Sequence, residues 1–455
     1  MSRTRHPPRA ALPTQPHGAR LRRDSSRTRD GPTLARVTPT HDALLPPHAF
    51  TGRKLGRAVL AYVLGVIAII TLEPFVFHTP AQIRIVLFDR YNWLDPFANV
   101  VLFVPPGFLY ALARAATDRA TGVARWRTIR AATLLGLAAS AAVEITQVFE
   151  PARYPSPIDV ATNGLGAALG AWAFTRAARR LRADSALVGR LALELPLMGL
   201  VYVLVPLCSL AAMTVAAGEV VRGAVVPLPR GWGLVALALF GGTLLGQVQR
   251  RHFGPARTMT AVQTALAAAG WFAVGALPAL ATAPRTFVAG TVTAAVVAWA
   301  HGRAPDGAIP INRRFELAAL GRAVPWLVAY LLLMPLTEPV RRPRVMSQLD
   351  LLHAVESLAA FTVLGYVLAE AWGRLELRYR YTAWRVGLVA VVGAALSEAL
   401  RRMAFPPIAA APWIAAHVVS AAYGGWMYHL QRAHVRALVA GRNVRGQPVQ
   451  VHAAA

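Results

Sequence analysis

The chain is dominated by a succession of apolar runs, each about twenty residues long, which as an α-helix crosses the roughly 30 Å hydrocarbon core of a bilayer. Backbone groups in lipid must be hydrogen-bonded within their own segment, so such runs form helices. We therefore predict an all-α, polytopic membrane helical bundle that is embedded in the lipid bilayer, which is its predicted partner. Its twelve predicted spans lie near residues 56–77, 94–116, 128–149, 158–179, 191–216, 231–248, 260–280, 284–301, 321–339, 351–372, 384–403 and 411–430.

The composition supports a membrane protein and argues against several other classes. A hydrophobic content of 55% and a mean hydropathy of +0.43 exclude an ordinary soluble domain. The formal net charge of +27 would fit a nucleic-acid partner, but membrane proteins also retain Arg and Lys on their cytoplasmic side, so no nucleic acid is expected. The single cysteine, Cys208, lies in an apolar run, which excludes disulfides and cysteine metal sites. No cofactor and no metal are predicted.

The distribution of basic residues predicts the orientation. With the N-terminus inside, 37 of the 48 Lys and Arg residues fall on the cytoplasmic side and 11 on the outer side, as the positive-inside rule requires. This predicts an N-in, C-in topology. Residues 1–55 are rich in Arg, Pro, Ser and Thr and are predicted to be a disordered cytoplasmic tail, with a transit peptide or an upstream misassigned start codon as alternatives. Residues 433–455 are predicted to be a second cytoplasmic tail.

Two segments of the chain correspond without a gap, residues 139–172 and residues 393–426. Glu144 falls on Glu398, Gly170 on Gly424 and Trp172 on Trp426. Polar residues of the first segment are mostly replaced in the second, as the pairs Gln147 and Arg401, Arg153 and Pro407, Asp159 and Trp413, and Asn163 and His417 show. We therefore predict a four-helix unit over 56–182, a middle transmembrane block over 183–320 and a degenerate second unit over 321–432.

Polar residues of the first unit gather at one end of their predicted helices. They share helix faces at i, i+3 or i, i+4 spacing, and because successive spans alternate in direction they all reach the outer end. An ionisable residue within a span costs about 2.5–3.5 kcal/mol unless it meets protein, water or a partner. The predicted binding residues are Asp95, Asn99, Glu144, Gln147, Arg153, Asp159 and Asn163, with Glu73 at the end of the first span.

Structural explanations for the same residues remain open. Glu144, Arg153 and Asp159 could form a buried ion-pair network that fixes helix register. Asp95, Asn99 and Asp159 could cap helix N-termini. Pro105-Pro106-Gly107 is predicted to interrupt the second span.

Two histidines of the second unit, His353 and His417, suggest a metal site together with Glu398. Their spacing matches no recognised ligand motif, so we expect hydrogen-bonded or solvated histidines instead.

The polar pattern resembles the VanZ-like family over about residues 56–180, with a degenerate copy at about 321–430. The matching motifs are Asn99 followed by Leu102-Phe103-Val104-Pro105-Pro106-Gly107, then Glu144-x-x-Gln147, then Arg153 ahead of Asp159-Val160-x-x-Asn163-x-x-Gly166. The resemblance implies a multi-pass protein of the bacterial cell (inner) membrane. It also implies an effect on glycopeptide antibiotic susceptibility, because the family is named for a member that confers low-level teicoplanin resistance.

Three activities fit this site. The favoured one is binding or shielding of a cell-envelope lipid or glycan, such as a lipid-linked envelope precursor, at an outward-facing polar pocket. A membrane-embedded hydrolase or transferase could use Glu144 and Asp159 as a carboxylate pair. This is less favoured, because the sequence has no recognisable nucleophile motif. A secondary transporter is the third possibility, although carrier sites lie near the bilayer midplane rather than at one rim.

Overall fold

The chain is helical throughout the part that the computed structural model describes. These residues are 47–72, 77–80, 82, 86, 94–114, 122–150, 154–183, 196–220, 231–252, 260–303, 313–336, 348–372, 379–404 and 410–443. Within them 93% of the residues are helical and no strand occurs. The predicted all-α class is confirmed. Residues 1–46 of the predicted N-terminal tail and the end of the chain from residue 444 lie outside the described residues.

Twelve helices longer than one turn lie in this part of the chain, and each predicted span overlaps one of them. Their bounds are α1 Pro47–Thr71, α2 Leu94–Arg114, α3 Gly122–Gln147, α4 Pro157–Ala183, α5 Pro196–Val220, α6 Gly231–His252, α7 Ala261–Gly275, α8 Pro284–Gly302, α9 Arg313–Leu333, α10 Gln348–Trp372, α11 Arg380–Ala404 and α12 Ala410–Asn443. A single turn over Ala279–Thr282 and a 3₁₀ turn over Met334–Leu336 complete the described elements.

Eight of these helices are long and apolar enough to cross a membrane, namely α1, α2, α3, α5, α6, α9, α10 and α11. The predicted number of twelve crossings is therefore not confirmed. The helix α7 has only 15 residues, because the chain turns after Gly275 and Pro278 begins a separate short turn. The helices α4, α8 and α12 are longer but are not among the eight, since polar and basic residues lower their hydropathy.

Several helix boundaries differ from prediction, and so does one predicted interruption. The helix α1 begins at Pro47 rather than near residue 56, and α12 continues to Asn443 beyond the predicted start of a tail at residue 433. These polar ends are helical because they pack on each other. The Thr51 hydroxyl lies 3.2 Å from Nδ1 of His434, whose side chain is buried. The helix α2 also runs through Pro105-Pro106 without a break.

The first unit is built around the contact between α2 and α4. The helix α3 packs on α4, and α1 packs on both α2 and α12. Glycines bring the α2 and α4 backbones together, because a Cβ at Gly107 would overlap the carbonyl of Ala167, and one at Gly170 would overlap the carbonyl of Val104. Small residues permit this close approach between helices in lipid.

The contact between α10 and α12 has the same construction. A Cβ at Gly365 would overlap the carbonyl of Ala421, and one at Gly424 would overlap the carbonyl of Thr362. The helix α11 packs on α12 as α3 packs on α4. Phe103 of α2 and Phe361 of α10 are both fully buried. The two sets of three helices therefore share their closest contacts.

Candidate functional site

A cavity of about 790 Å³ lies at one end of the first unit. Its walls come from the C-terminal ends of α1, α3, α5 and α7 and from the N-terminal ends of α2 and α4. Five of the seven predicted binding residues line it, namely Asn99, Glu144, Gln147, Asp159 and Asn163. The volume falls within the range of small-molecule sites, about 300–1,000 Å³. The helices thus bring together side chains that lie up to 64 positions apart in sequence.

The other two predicted residues cannot be placed in this cavity. Asp95 lies in the first turn of α2, but its side chain is outside the described part of the chain. Arg153 lies wholly outside it, and so does Glu73, which was placed at the end of the first span. The predicted pairing of Arg153 with a phosphate or carboxylate stays a prediction.

Glu144 connects α3 to the segment that enters α4. Its side chain is 9% exposed, and its Oε2 accepts a hydrogen bond of 2.7 Å from the backbone N–H of Ser156. This bond fixes the chain just before α4 against the end of α3. A charge-assisted hydrogen bond of this kind is stronger than one between neutral groups. Glu144 therefore has a structural contact and also lines the cavity.

Gln147 supports α1 from the neighbouring helix. Its Nε2 donates a hydrogen bond of 2.7 Å to the backbone carbonyl of Thr71, the last residue of α1. Carbonyls at a helix C-terminus lack a partner within the helix, so this amide satisfies one of them. The amide nitrogen of Gln147 is consequently engaged by the fold, although the residue borders the cavity.

Asn163 presents a buried acceptor. Its Nδ2 donates a hydrogen bond of 2.8 Å to the Ser140 hydroxyl of α3, which fixes the amide orientation. Its Oδ1 is buried and has no hydrogen-bond partner, and the side chain is 6% exposed. A buried acceptor without a partner costs about 1–3 kcal/mol. Since Asn163 lines the cavity, a bound donor would remove that cost.

Asp159 and Asn99 do not cap their helices. The helix α4 begins at Pro157, which places Asp159 at its third position, and α2 begins at Leu94, which places Asn99 at its sixth. An N-cap residue immediately precedes the helix. The capping interpretation is wrong for these two residues, because each lies inside its helix rather than immediately before it. Asp159 still lies in the first turn of α4, where a negative charge is favoured by the helix dipole.

Two residues that line the cavity have backbone carbonyls without their usual helical partner. In an α-helix the carbonyl of residue i accepts from the amide of residue i+4, and proline has no amide hydrogen. Pro105 and Pro106 therefore leave the carbonyls of Val101 and Leu102 without that bond, and both of these residues line the cavity. The equivalent positions in α10 are Val363 and Leu364, which have amide hydrogens.

Several residues that line the cavity were not among the predicted binding residues. Ser140 lies one turn before Glu144 on the same face of α3, a spacing that could have revealed it. The walls from α5 and α7 carry no sequence signal, because they depend on long-range packing. The unpredicted lining residues include Thr71, Ser140, Tyr154, Ser156, Ser209, Met213, Val274 and Leu277.

At the corresponding end of the second unit, two arginines form ion pairs with Glu398. Arg401 donates from Nε to Oε2 of Glu398 at 2.9 Å and from Nη2 to Oε1 at 3.0 Å. Arg402 donates from Nε to Oε1 at 2.7 Å. In the first unit the same positions are Gln147 and Val148, so Glu144 has no arginine from its own helix turn.

Of the two histidines suggested for a metal site, His417 has hydrogen bonds at both ring nitrogens, and His353 lies beside a glutamate. Nε2 of His417 lies 2.6 Å from the Ser357 hydroxyl, and its Nδ1 lies 2.7 Å from the carbonyl of Trp413. Nδ1 of His353 lies 3.5 Å from Oε2 of Glu356. Among the described residues, no group of three His, Cys, Asp or Glu side chains is placed to hold a metal ion. His417 therefore has the hydrogen bonds that we expected in place of a metal.

Comparison with known proteins finds a family match for the first unit. Residues 57–182 match the family model described as VanZ/LLP1, which confirms the resemblance to the VanZ-like family over α1–α4. Neither a curated protein nor a solved structure matches the chain. Together with the eight apolar helices, the match indicates a multi-pass membrane protein.

Proposed function

We propose that the cavity of the first unit binds or shields the head group of a cell-envelope lipid or glycan at the outer face of a bacterial inner membrane. The observation that carries this proposal is the convergence of Glu144, Asp159 and the unpartnered Oδ1 of Asn163 on one cavity of about 790 Å³. A buried acceptor beside two carboxylates is unfavourable when empty and favourable when a ligand donates to it. An effect on glycopeptide susceptibility would follow if the ligand were an antibiotic target.

We infer further that all twelve helices cross the membrane with both termini in the cytoplasm. The excess of basic residues on that side supports this topology. The less apolar helices α4, α8 and α12 are each packed against apolar ones, which allows polar residues within a bilayer. The cavity would then open to the outside. Cysteines placed at positions 154 and 125 test this, because an impermeant thiol reagent added to intact cells should label only the first.

The two three-helix sets are proposed to be copies of one unit. Gly107 and Ala167 correspond to Gly365 and Ala421 in the alignment of the sequence, and both pairs make the same close backbone contact. If the two sets arose by duplication, the same contact is expected at matched positions. The second copy then serves as a scaffold, because its glutamate is engaged by arginines.

The proposal predicts that Asp159→Asn weakens ligand binding by about tenfold or more while leaving the folded protein at normal abundance. The substitution keeps the side-chain shape but removes the charge, and hydrogen bonds to charged groups contribute about 1.5–3 kcal/mol. The measurement is saturable retention of a labelled lipid-linked envelope precursor by the purified protein. Thr146→Val is the matched control, because the Thr146 hydroxyl donates to its own helix at the carbonyl of Ala142.

The same experiment separates the alternatives. If the protein converts the labelled precursor, and if both Glu144→Gln and Asp159→Asn abolish that conversion, the function is hydrolysis or transfer by this carboxylate pair rather than binding. Counterflow of the precursor in proteoliposomes would indicate a carrier. If Asp159→Asn lowers abundance and binding together, the polar cluster serves folding and the proposed function is wrong.

A further inference from the structure

One hydrogen-bond acceptor of a residue that lines the cavity lacks a donor. The amide nitrogen of Asn163 donates to the Ser140 hydroxyl, which fixes the orientation of the carboxamide, and its Oδ1 is buried without a partner. This oxygen accepts only from an N–H or O–H group. A ligand that satisfies Asn163 must therefore bring a donor, which a fully ionised phosphate or carboxylate does not have.

The position of Asn163 in α4 is matched by His417 in α12. Each of them lies four residues before the alanine whose carbonyl contacts a glycine of the facing helix. Asn99 of α2 and Ser357 of α10 are matched in the same way, since each lies eight residues before that glycine. The two pairs of positions therefore lie across equivalent helix contacts, and their side chains can be compared directly.

The matched acceptor of the second unit has a hydroxyl donor. Nδ1 of His417 lies 2.7 Å from the carbonyl of Trp413, which can only accept, so Nδ1 carries the hydrogen. A neutral imidazole then accepts at Nε2, which lies 2.6 Å from the Ser357 hydroxyl. The Ser357 hydroxyl is therefore the donor. In the first unit the residue at this position is Asn99, and Oδ1 of Asn163 has no such donor.

The first unit keeps open a space that aromatic rings fill in the second. The centroid of the His417 ring lies 4.3 Å from that of Phe361 and 4.6 Å from that of Trp413. The matched residues of the first unit all line the cavity, namely Asn163, Phe103 and Asp159. Asparagine and aspartate are smaller than histidine and tryptophan, so a ligand has room beside the acceptor that lacks a donor.

We propose that a hydroxyl group of the ligand takes the place of the Ser357 hydroxyl and donates to Oδ1 of Asn163, so that the head group is a sugar or another polyol. This inference rests on the proposed function and names the chemistry of the head group. A hydroxyl both donates and accepts, so the same group can also bond to the carboxamide of Asn99 in either orientation of that amide. Asn163 then selects hydroxylated head groups over those that only accept.

The test uses delipidated, purified protein and synthetic lipids with identical acyl chains. Glucosyl-diacylglycerol carries sugar hydroxyls, and its fully O-methylated analogue keeps the ring and the oxygens but has no donor. Phosphatidylethanolamine provides N–H donors without a sugar. Affinities are measured by native mass spectrometry. We expect the glucosyl lipid to bind about tenfold or more tightly than either of the others, because a buried acceptor left without a bond is costly.

Two variants assign the preference to Asn163. Asn163→Leu keeps the side-chain size but removes the acceptor, so it should abolish the preference for free hydroxyls over methylated ones. The double variant Asn99→Ser and Asn163→His installs the pair of the second unit, whose own hydroxyl satisfies the acceptor, and should have the same effect. Thermal midpoints report whether each variant folds, and the comparison of the two glucosyl lipids on the unaltered protein needs no variant. Thr146→Val should leave the preference unchanged.

A competition arm identifies the source of the hydroxyl. Methyl glucoside has the sugar without the acyl chains. If it displaces glucosyl-diacylglycerol at similar concentrations, a free glycan supplies the hydroxyl. If only glycolipids displace it, the hydroxyl belongs to a membrane lipid.

The remaining outcomes separate the two proposals. Equal binding of the methylated analogue, tighter binding of phosphatidylethanolamine, or an unchanged preference in folded Asn163→Leu would overturn the hydroxyl inference and leave head-group binding intact. Retention of none of these lipids, and of no labelled lipid-linked precursor, would overturn both.

Discussion

Gly170→Ala is expected to destabilise the protein by about 3 kcal/mol or more, at the upper end of the range for overpacked cores. A Cβ at Gly170 would overlap the carbonyl oxygen of Val104 and approach the Phe108 amide nitrogen to 2.8 Å. Both atoms are backbone of α2, so no side chain can rotate away, and α2 and α4 must separate. The thermal midpoint of the detergent-solubilised protein should fall by many degrees, and fluorescence-detected size exclusion should show loss of the folded peak.

Gly65→Ala is the matched control, because a Cβ at Gly65 of α1 would meet no atom within 4 Å. It should be neutral or slightly stabilising, since alanine favours helix over glycine. Gly424→Ala should behave like Gly170→Ala, because its Cβ would overlap the carbonyl of Thr362. A normal midpoint for Gly170→Ala would mean that α2 and α4 are not in backbone contact.

Glu398→Gln is expected to cost about 3–5 kcal/mol, the range for breaking a buried ion pair by removing one partner. Glu398 and Arg401 are each 6% exposed and share two hydrogen bonds. The substitution keeps the volume but takes the countercharge from a buried guanidinium. The measurement is the free energy of unfolding in mixed micelles.

Two companion variants test this reason. Arg402→Gln should cost less than about 1 kcal/mol, because the Arg402 side chain is 47% exposed and exposed pairs contribute little. The double variant Glu398→Met and Arg401→Met should recover most of the lost stability, since an apolar pair of similar size needs no countercharge. If the double variant is no more stable than Glu398→Gln, the ion pair is not the cause of the loss.

The helices were predictable because their signals are local. Each apolar run became a helix, and the site residues Asn99, Glu144, Asp159 and Asn163 share a cavity because successive spans alternate in direction. Predictions failed where packing overrode local signals. The helix α2 passes through Pro105-Pro106. The helix α12 extends into the predicted tail, where His434 is buried against Thr51 of α1.

The individual roles of the polar residues required distances between helices. Glu144 and Glu398 are equivalent in sequence, but one accepts from the Ser156 backbone and the other is engaged by two arginines. Gln147 resembled a binding residue, yet its amide closes the end of α1. The sequence offered no sign that Met213 and Val274 would face this site.

The sequence by itself determined that the chain is helical, that it belongs in a membrane, and that five predicted site residues lie near one end of the first unit. Run length and helical periodicity encode these properties within about twenty residues. Only the tertiary structure decided which acceptors already have a hydrogen-bond partner, that Oδ1 of Asn163 has none, and which apolar helices complete the wall of the cavity. Those outcomes depend on close approaches between residues far apart in the chain, which no local pattern specifies.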